Sequence, residues 1–146
     1  MKKLFLIVTF ILFAFGIFAQ EYKVITVVES IVPGGAGRSR MIETKTDIDY
    51  KSLTTERTDG KDSKQGDIDR SDAKVGAFAE TKLLNFFSLV GINFQNIASN
   101  DAIISSKINS LAKEGWRLVF VTSGVESDCG DPDKGGIFIT RLYFSK

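Results

Sequence analysis

The stretch Ser99-Asn-Asp-Ala-Ile-Ile-Ser-Ser-Lys-Ile-Asn-Ser-Leu-Ala-Lys-Glu-Gly-Trp-Arg-Leu-Val-Phe-Val-Thr-Ser123 reads as an amphipathic helix, a glycine stop, and a strand leaving directly from the stop. Ile104, Ile108 and Leu111 recur at helical spacing with Ala112 beside them, while Ser106, Asn109, Ser110 and Lys113 fall on the opposite side. Ser99 or Asn100 is the expected N-cap, since either side chain accepts a hydrogen bond from a free first-turn N–H. Asp101 near the start and Lys113 near the end suit the helix dipole. Gly115 stands where a C′ residue belongs, because glycine takes positive φ at little cost. Trp116 then becomes C″ and Leu111 C3, the apolar pair that closes a Schellman motif. After the stop, Trp116, Leu118 and Phe120 share one strand face and Val119 and Val121 the other. With both faces apolar, this strand is expected at the centre of a sheet. Trp116 also has a functional reading, as a stacking platform for a ligand. The Schellman contact already accounts for an aromatic here and favours a core staple.

Working outward, Glu21–Glu29 is β-branched and aromatic and reads as the first strand. Pro33-Gly-Gly-Ala-Gly37 ends it. A glycine-rich turn with Arg38 and Arg40 close by suits an anion, but its spacing is neither a P-loop nor a dinucleotide fingerprint. A flexible connection is the plainer reading. Arg38–Tyr50 reads as a second, partly exposed strand with Ile42, Thr44, Thr46 and Ile48 on one face. Residues 51–74 are dominated by polar and charged side chains with few apolar ones, and read as a mobile solvent-exposed excursion. Its aspartates lack the ordered D-x-D-x-D-G pattern of a calcium loop. Residues 77–94 are core, but their apolar residues fit a helical stripe as well as a buried strand. Gly136–Phe144 is a strand, paired with Trp116–Thr122 as a hairpin across the turn sequence Asp131-Pro-Asp-Lys-Gly.

Of the 146 residues, the first nineteen stand apart. Met1-Lys-Lys3 is a basic start, Leu4–Phe18 is almost unbroken apolar sequence, and composition turns polar after Ala19. This is a secretory signal peptide, with cleavage expected before Gln20; the apolar run is short for a spanning helix. The chain is therefore expected in the periplasm or outside the cell, as a single domain over 20–146 with no membrane span after cleavage. Loss of Lys2 and Lys3 leaves 17 basic against 18 acidic residues, a net charge of about −1. That balance draws the chain to neither nucleic acid nor anionic membrane.

Three features together resemble the bacterial domain of unknown function 4177 family. They are Glu21-Tyr-Lys-Val24 at the start of the first strand, Leu111-Ala-Lys-Glu-Gly-Trp-Arg-Leu-Val119 at the helix–strand junction, and the basic closing strand Ile137–Lys146. The resemblance covers about half of the chain beyond the signal peptide, with the segment from Ile31 to Asn96 as an insertion. It implies a small strand–helix–strand–strand unit. It implies no activity and carries over no catalytic residue.

The chain has no histidine, which closes Ser-His-Asp and Cys-His catalysis, His-ligated zinc and imidazole as general base. Its one cysteine, Cys129, forms no internal disulfide and holds no iron–sulfur cluster. Asp128 and Asp131 disfavour its thiolate. Carboxylate chemistry survives: Asp47/Asp49, Asp67/Asp69 and Asp131/Asp133 are i,i+2 pairs, all in polar segments where nothing raises a pKa. The sequence therefore predicts an α+β domain, a small antiparallel sheet of three to five strands with one main helix, Asn100–Glu114, packed on one face. No catalytic residue, metal ligand or cofactor is expected. The function expected is a non-enzymatic binding or interaction module for a protein, glycan or small ligand, with Arg38, Arg40 and Trp116 as contact residues and Gly115, Trp116 and Leu111 as structural ones. The alternatives are a carboxylate-dependent hydrolase, and a homo-oligomer subunit pairing through the Arg38–Tyr50 edge.

Overall fold

The computed structural model describes residues 20–30, 39–88, 90–126 and 136–146. Residues 1–19, where a signal peptide is expected, the expected Pro33–Gly37 turn with Arg38, Cys129 and the Asp131/Asp133 pair lie outside the described residues. The fold is α+β: a five-stranded antiparallel sheet with one long helix on one face. In chain order the elements are β1 (Tyr22–Ser30), β2 (Arg40–Thr44), β3 (Phe78–Lys82), the small hairpin β4 (Phe87–Ser88) and β5 (Gly91–Ile92), α1 (Phe94–Lys113), β6 (Arg117–Glu126) and β7 (Ile137–Ser145). The main sheet runs β3-β2-β1-β7-β6, so β1 is central and β3 and β6 are the edges.

Alternation along the strands decides what α1 covers. Ile25 and Val27 of β1 lie opposite Glu43 and Met41 of β2 and opposite Leu142 and Thr140 of β7. Ile25, Val27, Met41, Leu142 and Phe144 form the core with Leu83, Leu111 and Trp116, and Ile103, Ile104 and Ile108 of α1 pack against it. Residues 45–77 run outside this core as irregular chain with short 3₁₀ turns at Tyr50–Leu53, Thr58–Gly60 and Gln65–Asp67, and none of them is buried.

Three expectations are corrected. The helix begins at Phe94, with Asn93 as N-cap accepting from the Asn96 N–H at 3.1 Å, instead of at Ser99 or Asn100. Asn100 is one turn and more inside it, and its side chain is spent elsewhere. The strand after the helix stop is an edge strand, not a central one, because β7 returns between it and β1. Finally β2 is short and paired on both sides, since the chain of 78–82 lies against it as β3; it offers no free edge. The undecided segment 77–94 supplies β3, the small hairpin and the first residue of α1.

Candidate interaction surface

The two ends of α1 hold the two sides of the sheet by different chemistry. At its C-terminal end, Gly115 has φ +92°, its N–H donates to Ala112 O at 3.0 Å, and the Trp116 N–H donates to Leu111 O at 2.9 Å. Those are the two hydrogen bonds of a Schellman motif, and they turn the chain into β6. Trp116 is only 8% exposed and belongs to the core. The Lys23 ammonium lies 4.8 Å and the Lys146 ammonium 5.9 Å from its ring centroid. No broad face of the ring is left for a stacking ligand. Arg40 is engaged by Glu80 across the β2–β3 pair.

In the N-terminal half of α1, Asn100 is fully buried on the sheet-facing side. Its Oδ1 accepts from the Leu84 N–H at 2.8 Å, and its Nδ2 donates to Leu84 O at 2.8 Å and to Glu29 Oε1 at 2.9 Å. One carboxamide thus replaces a strand neighbour for the chain leaving β3. Beside it, the Asn96 amide donates to Asn85 O, and Asn85 Oδ1 accepts from the Ser39 N–H and hydroxyl. The Ser39 hydroxyl oxygen in turn accepts from the Ser30 N–H at 2.9 Å.

Two carboxyl groups sit on the helix-covered face, with opposite electrostatics. Burial works to raise the Glu43 pKa, but hydrogen bonds from Lys107, Lys45 and Lys23 at 2.8, 3.0 and 3.2 Å outweigh it and hold the group down at about 2. Glu29 is raised above its ordinary value, chiefly by burial, against the lowering hydrogen bond from Asn100 and with a further push from Asp101. Glu43 lies opposite Ile25, and Glu29 stands four residues further along β1. Roughly 13 Å of strand therefore separates them, more than the ~5–9.5 Å over which paired carboxylates hydrolyse a glycosidic bond. Asp49 caps its own 3₁₀ turn by accepting from the Lys51 N–H, and Asp47, Asp67 and Asp69 are solvent-exposed. Among the described residues, no cluster of three carboxylate or thiol groups could hold a metal ion. A groove of about 430 Å³ between α1 and the β2–β3 pair is lined by Met41, Thr81, Ile103 and Lys107, and that lysine is already committed to Glu43.

The surface left unsatisfied is on the other side of the molecule. Leu118 to Val125 of β6 carry no charge, and α1 does not reach over them. Leu118 is 41% exposed, Val119 46%, Phe120 61%, Val121 47% and Val125 60%. Pairing with β7 is interrupted by a bulge at Val119, then runs in unbroken register from Phe120↔Tyr143 to Glu126↔Ile137. On the uncovered face of the sheet two apolar rows run inward, separated by the polar row Thr122, Arg141 and Thr26: Phe120, Tyr143 and Val24 stand in the first, with the Phe120 and Tyr143 rings 5.8 Å apart. Gly124, Ile139 and Val28 form a parallel row. Sequence reasoning missed this surface because apolar residues on both faces of a strand ordinarily mark burial. Among the described residues no helix is long and apolar enough to cross a membrane. No protein-family model, curated protein or solved structure matches this chain.

Proposed function

We propose that this protein is an exported, non-enzymatic interaction module that binds through the β6 edge and the adjoining open face of the sheet. The observation that carries the reading is the uncharged run Leu118–Val125, whose large apolar residues are all exposed along one edge of the sheet. An edge strand offers a row of backbone N–H and C=O groups to another strand, and long apolar edges without charge are the ones that pair. Among protein, glycan and small-ligand partners, such a row suits the backbone of a protein. The separation of Glu29 from Glu43 and the neutralisation of Glu43 by three lysines favour this over the carboxylate-dependent hydrolase. β1, α1, β6 and β7 are also the elements that carry the resemblance to the domain of unknown function 4177 family; on that reading β2, β3 and the turns between them are this chain's addition.

Native mass spectrometry of the protein from the exported fraction of its own cells, beside the Val121→Lys variant, tests the proposal. The expected result is a chain starting at Gln20 that carries additional polypeptide mass, lost in the variant. A bare chain in both samples, or an added mass indifferent to the substitution, counts against it.

A further inference from the structure

Resting on that reading of β6, we infer that the partner is a second copy of this chain, paired antiparallel through β6 about a two-fold axis normal to the sheet. Three features of the strand select this occupant. The first is charge: β6 begins at basic Arg117 and ends at acidic Glu126, with no charge from Leu118 to Val125. An antiparallel copy brings the basic end of each strand beside the acidic end of the other, whereas a parallel copy stacks like on like. The second is shape. Gly124 faces the open side of the sheet, and a side chain placed on it would meet nothing within 4 Å. With Thr122 on the axis, Phe120 of each copy lies across from Gly124 of the other, and an exposed ring fills a vacant place. Thr122 meets its own copy on the same face, a favoured cross-strand pair. The third is the other edge. β3, Phe78-Ala-Glu-Thr-Lys82, carries Glu80 and Lys82 and is exposed throughout most of its length, so a β6-to-β3 contact would set charges against apolar residues. Such a head-to-tail contact also generates an open chain of molecules, while β6-to-β6 pairing closes at two. The product is a continuous ten-stranded sheet with both helices on one face and the apolar rows joined on the other.

The test is sedimentation of the full exported chain at micromolar concentration, followed by disulfide trapping. Wild type should be a dimer, Val121→Lys should be a monomer with an unchanged far-ultraviolet spectrum, and Ala79→Lys on the β3 edge should remain a dimer. In a Cys129→Ser background, Thr122→Cys should crosslink under mild oxidation, because antiparallel pairing brings two such Cα atoms to about 4.5–5.5 Å; Ala79→Cys should not. A wild type that stays monomeric at micromolar concentration overturns the inference, as does a dimer that survives Val121→Lys. If the monomer instead binds a different polypeptide in a manner abolished by Val121→Lys, β6 remains the contact surface and the second copy is wrong. A dimer that forms without the Thr122→Cys crosslink overturns the stated register and with it the Phe120–Gly124 argument.

Discussion

The two edges of the sheet are built to opposite rules, and each is tied to one end of the same helix. β3 is short and charged, and the chain leaving it is gripped by side-chain amides: Asn100 on Leu84, Asn96 on Asn85. β6 is long and uncharged between its two ends, and it is launched by backbone geometry at Gly115 with Trp116 locked into the core. A charged, short edge is how a sheet discourages pairing, and an apolar, long one is how it invites it. The difference teaches that polar residues can be spent to finish one side of a domain while the other is left for a partner to finish. On the pairing proposed above, β6 has the composition of a central strand because it becomes one when another strand lies beside it.

The largest effect should come from breaking the polar side. Asn100→Ala removes the partner of the Leu84 N–H and C=O and of the Glu29 carboxyl at once, leaving polar groups without the hydrogen bonds that offset their burial. Urea melts should show a loss of about 2–4 kcal/mol. A loss below about 1 kcal/mol would show that water substitutes for the amide and that the clamp does not hold the β3 side.

At the other end the expected loss is smaller and of another kind. Gly115→Val forces a β-branched residue towards φ +92°, which should cost about 1–3 kcal/mol. An added Cβ would approach only the flexible Lys146 side chain, at 3.4 Å, so crowding contributes little. Gly115→Asn, with the same Cβ but greater tolerance of positive φ, should lose less. Equal losses would mean that contact, not backbone conformation, sets the cost.

How much of this was readable follows from how far apart in sequence the partners lie. The helix stop depends on residues 111–116 alone, and its glycine, tryptophan and leucine are at fixed local offsets. β1 and β7 are readable because strand residues run uninterrupted through them. Asn100 left a local trace: it occupies an apolar-stripe position with Ile97, Ile104, Ile108 and Leu111, and a polar residue there signals a buried hydrogen-bonding role. The polar residues around it, Gln95, Asn96 and Ser99, disguised the first turn and a half of helix as loop. Glu43 left no trace, because Lys23, Lys45 and Lys107 reach it from β1, the end of β2 and α1, and only the register Ile25↔Glu43 brings them together. The edge position of β6 was hidden for a related reason. Composition reports that a strand is covered on both sides without reporting whether the cover belongs to the same chain.

Acid should separate the two sides of the sheet, with the smallest energies of the three experiments. Glu43 is held at about 2 against an ordinary 4.5, so the stability it contributes is present above 4.5 and is lost as pH falls towards 2. Because water reaches the lysines, Lys45 most of all, the amount is on the order of 1 kcal/mol. Glu29 has the opposite sign: its raised pKa contributes stability that is full below 4.5 and is lost as pH rises through its folded value. Glu29→Gln keeps an oxygen for the Asn100 amide and removes the buried charge beside Asp101, so it should stabilise the fold slightly at neutral pH and not in acid. Hydrogen exchange measured on descending pH should show β2 and β3 amides losing protection before those shared by β6 and β7, where no titrating contact holds the described residues together. Glu43→Gln should leave the β2 side weakly protected already at neutral pH and so remove the pH dependence of its opening. If β6 and β7 open first, the ion pairs around Glu43 are not what secures the charged side of the sheet, and the contrast between the two edges reduces to their surfaces alone.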